Sequence, residues 1–384
     1  MKKKRLLFLR GTALMAVALA LLLDAAFLIV RDRTFSPLEN RNLQTLPALT
    51  LRAAASGRFE SQFDDYVSDQ FPGRDTWIPL KSTLDRLLGR TESNGVFLGR
   101  DGCLIQNFAA PEEADYAATL AALKDFLQRH SDLAQYVMIA PTAVAILPEL
   151  LPALAPAGDQ GGYLDRLARD LADTPARFVD LRTVFSSAKA QTRLYYRTDH
   201  HWTTDGAYLA YLELSGIAGL SGASTRYERR RLSVDFAGTL SANSGFRMGE
   251  RDELAAYLPA EDGVQVVVNY LDDGTRSASL YRAACLDTRD QYAVFLNGNH
   301  ARIRIETTAA GSRTLLVLKD SYANCFIPFL VQDYRKLIVV DPRYFTGDLE
   351  VLMEAEAVNE VLILYNAVTF AADTALRADL AVHS

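Results

Sequence analysis

From residue 112 onward, apolar positions alternate between two spacings. Tyr116, Leu120, Leu123 and Leu127 recur three and four residues apart, the stripe of an amphipathic helix. Residues 136–140 then form a short apolar run closed by Pro141, which predicts a buried strand. Leu164, Leu167, Ala168 and Leu171 predict a second helix, and Phe178-Val179-Asp180-Leu181 a second strand. Three more buried-type runs close the chain at 314–318, 337–340 and 361–365. Strands alternating with helices predict an α/β fold, a parallel sheet covered by helices on both faces. A β-rich insertion at about 225–310 interrupts the alternation, with strand-like runs at 264–270, 292–296 and 303–305.

The first third of the chain follows a different pattern. Lys2, Lys3, Lys4 and Arg5 precede an apolar run at residues 11–30 that only Asp24 interrupts. A run of about 20 residues spans a hydrocarbon core of roughly 30 Å. The basic cluster assigns the N-terminus to the cytoplasm and everything after Arg31 to the far side of a cell membrane. Ala16-x-Ala18 and Ala18-x-Ala20 resemble cleavage sites, so a cleaved signal peptide is the rival reading. The run continues well past Ala20, which favours an uncleaved signal anchor. Asp24 is then expected to face a partner helix or lie near the outer interface, because a lone lipid-facing carboxylate is costly.

Residues 31–51 are polar and aperiodic, a linker. Phe59, Phe63, Tyr66 and Val67 form one short helical stripe, and Trp77, Leu80, Leu84, Leu87 and Leu88 another. Between them Asp69-Gln70-Phe71-Pro72-Gly73-Arg74 is a turn. Residues 95–105 predict a hairpin with Asp101-Gly102 at its tip. The organisation expected is a basic tip and anchor helix at 1–31, a linker with helical and hairpin segments at 32–105, and the α/β domain at 106–384.

Composition adds exclusions. A net charge of −6 provides no basis for nucleic-acid binding. Cys103, Cys285 and Cys325 allow at most one intramolecular disulfide and contain no Cys-x-x-Cys pair, so buried thiols are expected.

Two of the five histidines lie together in Asp199-His200-His201-Trp202. This run falls between β-prone Leu194-Tyr195-Tyr196 and a helical stripe at Ala207, Tyr208, Tyr211 and Leu212, on a connecting turn. A carboxylate beside a histidine fixes its tautomer and stabilises the imidazolium, so Asp199 and His201 suit a general base. The same residues also suit a hydrogen-bonded turn, or half of a metal site with His200 and His300. Adjacent histidines rarely chelate one ion well, and no metal is expected.

Sites on parallel sheets form beyond the carboxyl ends of the strands. The run at 314–318 leads into Lys319-Asp320-Ser321-Tyr322-Ala323-Asn324, a position where a serine nucleophile is exposed near a helix N-terminus. The next run ends in Asp341-Pro342-Arg343-Tyr344, and the last in Asn366. The Asn366 amide or the Arg343 guanidinium there suits donation to an oxyanion, together with the Ser321 backbone N–H. Each also has a plain structural reading: Ser321 as an N-cap, Asn366 as a turn former, Arg343 as a surface ion-pair partner.

Thr198-Asp199-His200-His201-Trp202-Thr203 resembles the signature of the DHHW proteins. It is also similar to the Asp-x-His-Trp of the periplasmic alginate O-acetylation proteins, which have an SGNH-hydrolase-like domain. Further matching segments are Glu39-Asn40-Arg41, Asp69-Gln70-Phe71-Pro72-Gly73-Arg74, Gly95-Val96 with Gly99-Arg100-Asp101-Gly102, Phe295-Leu296-Asn297-Gly298-Asn299-His300, Lys319-Asp320-Ser321-Tyr322-Ala323-Asn324 and Asp341-Pro342-Arg343-Tyr344-Phe345. The resemblance implies Ser321 as nucleophile, His201 as base and Asp199 as the carboxylate that orients it. It implies an SGNH-like sheet that is circularly rearranged, since Asp-x-His precedes the serine. Asn366 matches the block that supplies an oxyanion donor, and Gly298-Asn299-His300 is a lower-ranked block of the same kind. Arg343, Tyr344 and His200 are the remaining substrate-binding candidates. Lys319 departs from the family's Gly, and this bears on the geometry around Ser321.

The activity implied is a membrane-anchored extracytoplasmic O-acyltransferase or esterase on a cell-envelope or secreted polysaccharide, without a cofactor. A membrane-bound O-acyltransferase is the implied partner, with Asp24 as a point of contact. The alternative from another class is a non-catalytic carbohydrate-binding or assembly protein of a polysaccharide acetylation system.

Overall fold

The structure, a computed structural model, describes residues 2–36, 41–50, 58–246, 251–261 and 263–381. Glu39 and Asn40 of the Glu39-Asn40-Arg41 motif, and Leu51 at the end of the linker, lie outside the described residues. The chain forms two compact units, Met1–Arg90 with Ser244–Phe246 and Thr91–Asn243 with Arg247–Ser384. The hairpin segment after residue 91 therefore belongs with the α/β unit.

In the first unit, α1 (Lys2–Ile29) contains a window, Arg10–Phe27, of mean hydropathy 1.6 that is long and apolar enough to cross a membrane. Strands β1 (Phe35–Ser36) and β2 (Arg41–Asn42) pair antiparallel. Helices α2 (Arg58–Gln70) and α3 (Arg74–Leu87) flank the predicted turn. Gly73 caps α3 at φ +69°, a left-handed backbone that favours glycine.

The second unit begins with β3 (Glu92–Ser93), β4 (Val96–Leu98) and β5 (Leu104–Gln106), an antiparallel meander. Asp101 and Gly102 both have positive φ, as the expected tip requires. The main sheet comprises β6 (Ala134–Ala140), β7 (Arg177–Phe178), β10 (Val266–Tyr270), β11 (Thr275–Ser277), β12 (Arg302–Thr307), β13 (Thr314–Lys319), β14 (Lys336–Val340) and β15 (Glu360–Asn366), with β8 (Tyr227–Phe236) and β9 (Asp252–Pro259) forming a separate ribbon. Its order is β11-β10-β12-β14-β13-β15-β6-β7.

Strands β14, β13, β15, β6 and β7 run parallel, with Leu316 opposite Ile338 and Asn366 opposite Ala140. The expected parallel sheet is thus present but extended: β12, β10 and β11 add to its edge antiparallel. These strands come from the segment expected to be an insertion. Apolar runs carry no information on strand direction, and the short β10–β11 link permits only antiparallel pairing. The predicted strand at 292–296 is instead a 3-10 turn, Gln291–Val294, and positive φ at Leu296 and Asn297 stops any strand there.

Alternation along the parallel strands divides the core in two. Leu315, Val317, Leu337, Val339, Leu362 and Leu364 face one layer, which includes the helix at Thr204–Ala218. Leu316, Leu318, Ile338, Val340, Val361 and Ile363 face the other, with helices Glu113–Arg129, Gln160–Asp170 and Leu349–Glu356. All twelve strand side chains are inaccessible to solvent, and each contributes roughly 1.5–3 kcal/mol of burial. Helices on both faces leave the carboxyl ends of the strands as the open edge.

Candidate active site

The Asp199–Trp202 turn is closed at both ends. Tyr195 and Trp202 form an antiparallel bridge, and the Tyr196 N–H donates to the His201 carbonyl at 3.3 Å. Thr203 Oγ1 then accepts the Gly206 N–H at 3.1 Å, an N-cap for the helix that follows. Below the turn, Asp252 is buried and accepts from the Arg197 N–H, the Thr198 N–H and the Thr198 hydroxyl at 2.6–2.9 Å.

Asp199 is held from two sides. Its Oδ2 accepts from the Thr239 N–H at 2.8 Å and the Thr239 hydroxyl at 3.0 Å. Its Oδ1 accepts from the His201 N–H at 3.0 Å and from His201 Nδ1. Gly238 allows this approach: a Cβ there would stand 2.2 Å from the Asp199 Cβ. Burial opposes the Asp199 charge, but the His201 and His200 rings and the donated hydrogen bonds outweigh it and hold the carboxyl well below its ordinary range.

His201, 5 % exposed, directs Nε2 at Ser321 Oγ, 2.8 Å away. With the proton on Nδ1, facing Asp199, Nε2 is the acceptor for the serine hydroxyl. Ser321 is half-buried at the start of a 3-10 turn, Ser321–Cys325, directly after β13. The two turns are tied reciprocally. Trp202 Nε1 donates to the Tyr322 carbonyl at 2.9 Å, and the Tyr322 hydroxyl donates to the His200 carbonyl. The motif tryptophan therefore grips the backbone beside Ser321.

The His200 ring packs at a tilt of 36° against His201 with centroids 3.9 Å apart, and its Nδ1 lies 2.9 Å from Thr239 Oγ1. Since the Thr239 hydroxyl donates to Asp199, it accepts from His200 Nδ1–H, which leaves Nε2 of His200 as an acceptor. Burial, with the His201 ring second, pushes its pKa down to about 4.

Asp320 anchors the Ser321 turn. Its Oδ1 accepts the Tyr322 N–H at 2.8 Å, and its Oδ2 accepts both the N–H and Nδ2 of Asn366. Asn366 differs from the oxyanion-donor expectation. Its Nδ2 is shared between Asp320 Oδ2 at 2.6 Å and Thr369 Oγ1 at 2.7 Å, while its Oδ1 caps the helix Ala367–Ala372. Both amide hydrogens are committed, so the residue serves as an N-cap and a brace for Asp320.

Lys319 is wholly buried, and its ammonium donates to Asn299 Oδ1 and Asn324 Oδ1, each at 2.9 Å, and to Asp341 Oδ2 at 3.3 Å. All three of its donors are satisfied within a buried bracket formed by Asn299, Asn324 and Asp341. Burial lowers the Lys319 pKa, with Asp341 opposing the shift. Arg343 grips Asp341 through Nε at 2.8 Å and Nη2 at 2.6 Å, and lies 5.5 Å from the centre of the half-exposed Tyr344 ring.

Asp199, His200 and His201 place ligand-type atoms within 4.8 Å of one another. Both His201 nitrogens are engaged, however, by Asp199 and Ser321. His300 is not part of this group; it bonds Asp272 at 2.8 Å. Cys103, Cys285 and Cys325 are free thiols, and the first two are only half-buried rather than buried as expected.

Tyr292 and Thr239 were not anticipated. Tyr292 stacks on His201 at 3.9 Å, and Thr239 joins Asp199 to His200. Each lies tens of residues from its partner and belongs to no catalytic pattern; Gly238 beside Thr239 is the one local signal.

Residues 96–298, more than half of the chain, match the family described as SGNH hydrolase-like domain, acetyltransferase AlgX. The chain belongs to this family. The matched segment contains Asp199 and His201 and ends before Ser321. A protein named probable alginate O-acetylase AlgJ, from Pseudomonas syringae pv. tomato, is 26% identical over 166 residues, 41% of this chain and 42% of that protein. The match thus spans about two fifths of that relative's length. Among solved structures, a DHHW family protein from Eubacterium siraeum superposes with a TM-score of 0.64 at 22% identity, covering 76% of this chain and 97% of that one. Bacillus cereus PatB1, solved with a sulfonyl adduct, gives 0.61 at 22% identity, covering 73% and 96%. These likenesses establish the SGNH-like fold.

Proposed function

We propose that the protein is a membrane-anchored, extracytoplasmic O-acyltransferase or esterase that acts on a cell-envelope or secreted polysaccharide. The observation that carries this reading is the succession Asp199–His201–Ser321, in which a buried carboxylate, an imidazole and a half-exposed serine hydroxyl are joined by hydrogen bonds across 120 residues of chain. Membership of an acetyltransferase family and a relative named for alginate O-acetylation favour acetyl as the group and a polysaccharide as the substrate.

Ser321 Oγ attacks the acyl carbonyl while His201 Nε2 takes the hydroxyl proton, and Asp199 stabilises the imidazolium. The Ser321 backbone N–H, for which no hydrogen bond is found among the described residues, donates to the oxyanion. Collapse of the tetrahedral intermediate breaks the bond to the leaving oxygen, which receives the proton from His201. A sugar hydroxyl or water then attacks the acyl-serine, passing its proton to His201 and finally to Ser321 Oγ. His200, neutral and with Nε2 as an acceptor, receives a substrate hydroxyl; Arg343 and Tyr344 flank the same edge.

The basic N-terminal tip and the apolar window of α1 support a signal anchor with the bulk of the chain outside the cytoplasm. A membrane-bound O-acyltransferase is the proposed acyl source, contacting the anchor at Asp24.

Ser321→Ala tests the reading. Hydrolysis of a model acetyl ester and acetylation of the envelope polysaccharide should both be lost. If both survive, a non-catalytic carbohydrate-binding or assembly role replaces it.

A further inference from the structure

The apolar stripe of α3 faces outward. Trp77, Leu80, Leu84 and Leu88 recur at helical spacing and are 46%, 46%, 53% and 78% exposed, while Ser82 and Asp85 of the same segment are buried. A helix in contact with water on its outer face has the opposite arrangement, because apolar side chains seek burial and carboxylates resist it. Asp85 tolerates its position through Lys81 at 3.2 Å and Arg90 at 3.3 Å. The stripe, with Leu23 of α1 and Phe71, lines an open apolar groove of about 850 Å³.

The turn between α2 and α3 fastens this groove to the end of α1. Gln70 accepts the Arg33 N–H at 2.9 Å and donates to the Arg33 carbonyl at 2.9 Å and the Gln44 carbonyl at 2.8 Å. The Arg33 guanidinium pairs with Asp75 at 3.0 Å, and the Tyr66 hydroxyl donates to Asp32 at 3.2 Å. The Phe27 ring meets Tyr66 edge-on at 5.6 Å. The Asp69–Arg74 motif, to which the acyl chemistry assigns nothing, is thus a clip on the first residues after α1.

We infer that α2 and α3 form an interfacial hairpin whose Trp77–Leu88 stripe is immersed in the outer leaflet of the membrane that α1 crosses. The occupant is lipid because the stripe continues the surface of α1, where Leu19, Leu21 and Leu22 are 55%, 63% and 68% exposed. Lys81 and Arg90 project beside it, 64% and 66% exposed, at the level of anionic headgroups. Leucine and tryptophan on one face with basic residues flanking them is the composition of helices that lie in the interface. The inference rests on the anchor part of the proposed function and is independent of the acyl chemistry.

The chain has two tryptophans, and Trp202 is wholly buried in the other unit. The full chain is reconstituted into vesicles of phosphatidylethanolamine and phosphatidylglycerol with bromine either near the headgroup end of the acyl chains or near their tips. Tryptophan emission should fall relative to unbrominated vesicles, more with shallow bromine than with deep, and Trp77→Phe should abolish the loss. Resistance to alkaline carbonate extraction reports α1 separately. A chain that resists extraction yet shows no quenching of Trp77 overturns the hairpin and leaves the anchor standing; a protein partner or second copy in the groove gives that same result. A chain released by carbonate overturns the anchor and the hairpin together.

Discussion

Tyr292 lies against the His201 imidazole with ring centroids 3.9 Å apart and planes 16° from parallel. Its hydroxyl donates to the Ser321 carbonyl oxygen at 3.3 Å, so one side chain touches both partners of the Ser321–His201 hydrogen bond. Asp199 and Ser321 hold the two ring nitrogens at the edge of His201, and Tyr292 packs on its face, which helps to fix the plane of the ring.

Tyr292→Leu should therefore lower kcat on an acetyl ester by about 10- to 100-fold with KM little changed, since small misplacements of reacting groups carry penalties of that order. Tyr292→Phe keeps the ring and should stay within about fivefold, the effect of one neutral hydrogen bond. Steady-state kinetics of the two variants decide the matter: equal losses would assign the effect to the hydroxyl and not to the stack.

Asp199→Asn keeps the shape of the side chain but removes the charge, and its amide can present a donor where His201 needs an acceptor. The Thr239 donors would then face a neutral group. A fall in kcat of about 10³- to 10⁴-fold is expected, the scale at which a wrong tautomer acts in such triads. Near-parental activity with an intact fold would return Asp199 to the role of a turn former.

Much of this site could be read in the chain because its parts are local. Asp199 and His201 lie two residues apart on a turn between two recognisable patterns, and Ser321 follows a strongly apolar strand. Asn366 is legible as a strand end, but its amide is spent on a cap and on Asp320, a choice that depends on what folds beside it. Lys319 stands where the family has glycine, and the sequence does not show where so long a side chain goes; its acceptors come from Asn299, Asn324 and Asp341, which only the tertiary fold brings together. Strands β10 to β12 show the same limit, because an apolar run indicates burial without direction.

That buried bracket makes a stability prediction. Lys319→Ala removes the ammonium from Asp341, Asn299 and Asn324 and leaves a cavity two residues from Ser321. Arg343 still neutralises Asp341, so the cost should be about 3 kcal/mol, at the low end for breaking a buried pair. Lys319→Met fills the space and should cost less. Denaturant unfolding checks the order; an alanine variant as stable as the parent would show that the bracket carries no net energy.

The Asp199, His200 and His201 group invites a metal test. Both His201 nitrogens already serve the Asp199–Ser321 succession. Exhaustive dialysis against a chelator should leave the esterase rate unchanged. A loss that a divalent cation restores would mean that the reacting arrangement differs from the one described.

His200 should make the fold sensitive to mild acid. Its pKa of about 4 in the folded protein lies below the value of 6.5 that it regains on unfolding, the cause being burial first and the His201 ring second. Asp199 and Asp320 act on it in the opposite sense, and Arg343 in the same sense as His201. Between those two pH values the unfolded chain binds a proton that the folded chain does not, so stability is full above pH 6.5 and is lost as the pH falls toward 4. The total is up to about 3 kcal/mol at 1.36 kcal/mol per unit. Asp199, whose pKa is also depressed, loses its own contribution only at lower pH, which separates the two effects. His200→Asn keeps a polar atom near Thr239 and removes the titration, so its unfolding free energy should change less than the parent's between pH 6.5 and 4. Parallel pH profiles for parent and variant would show that His200 is not held neutral by its surroundings.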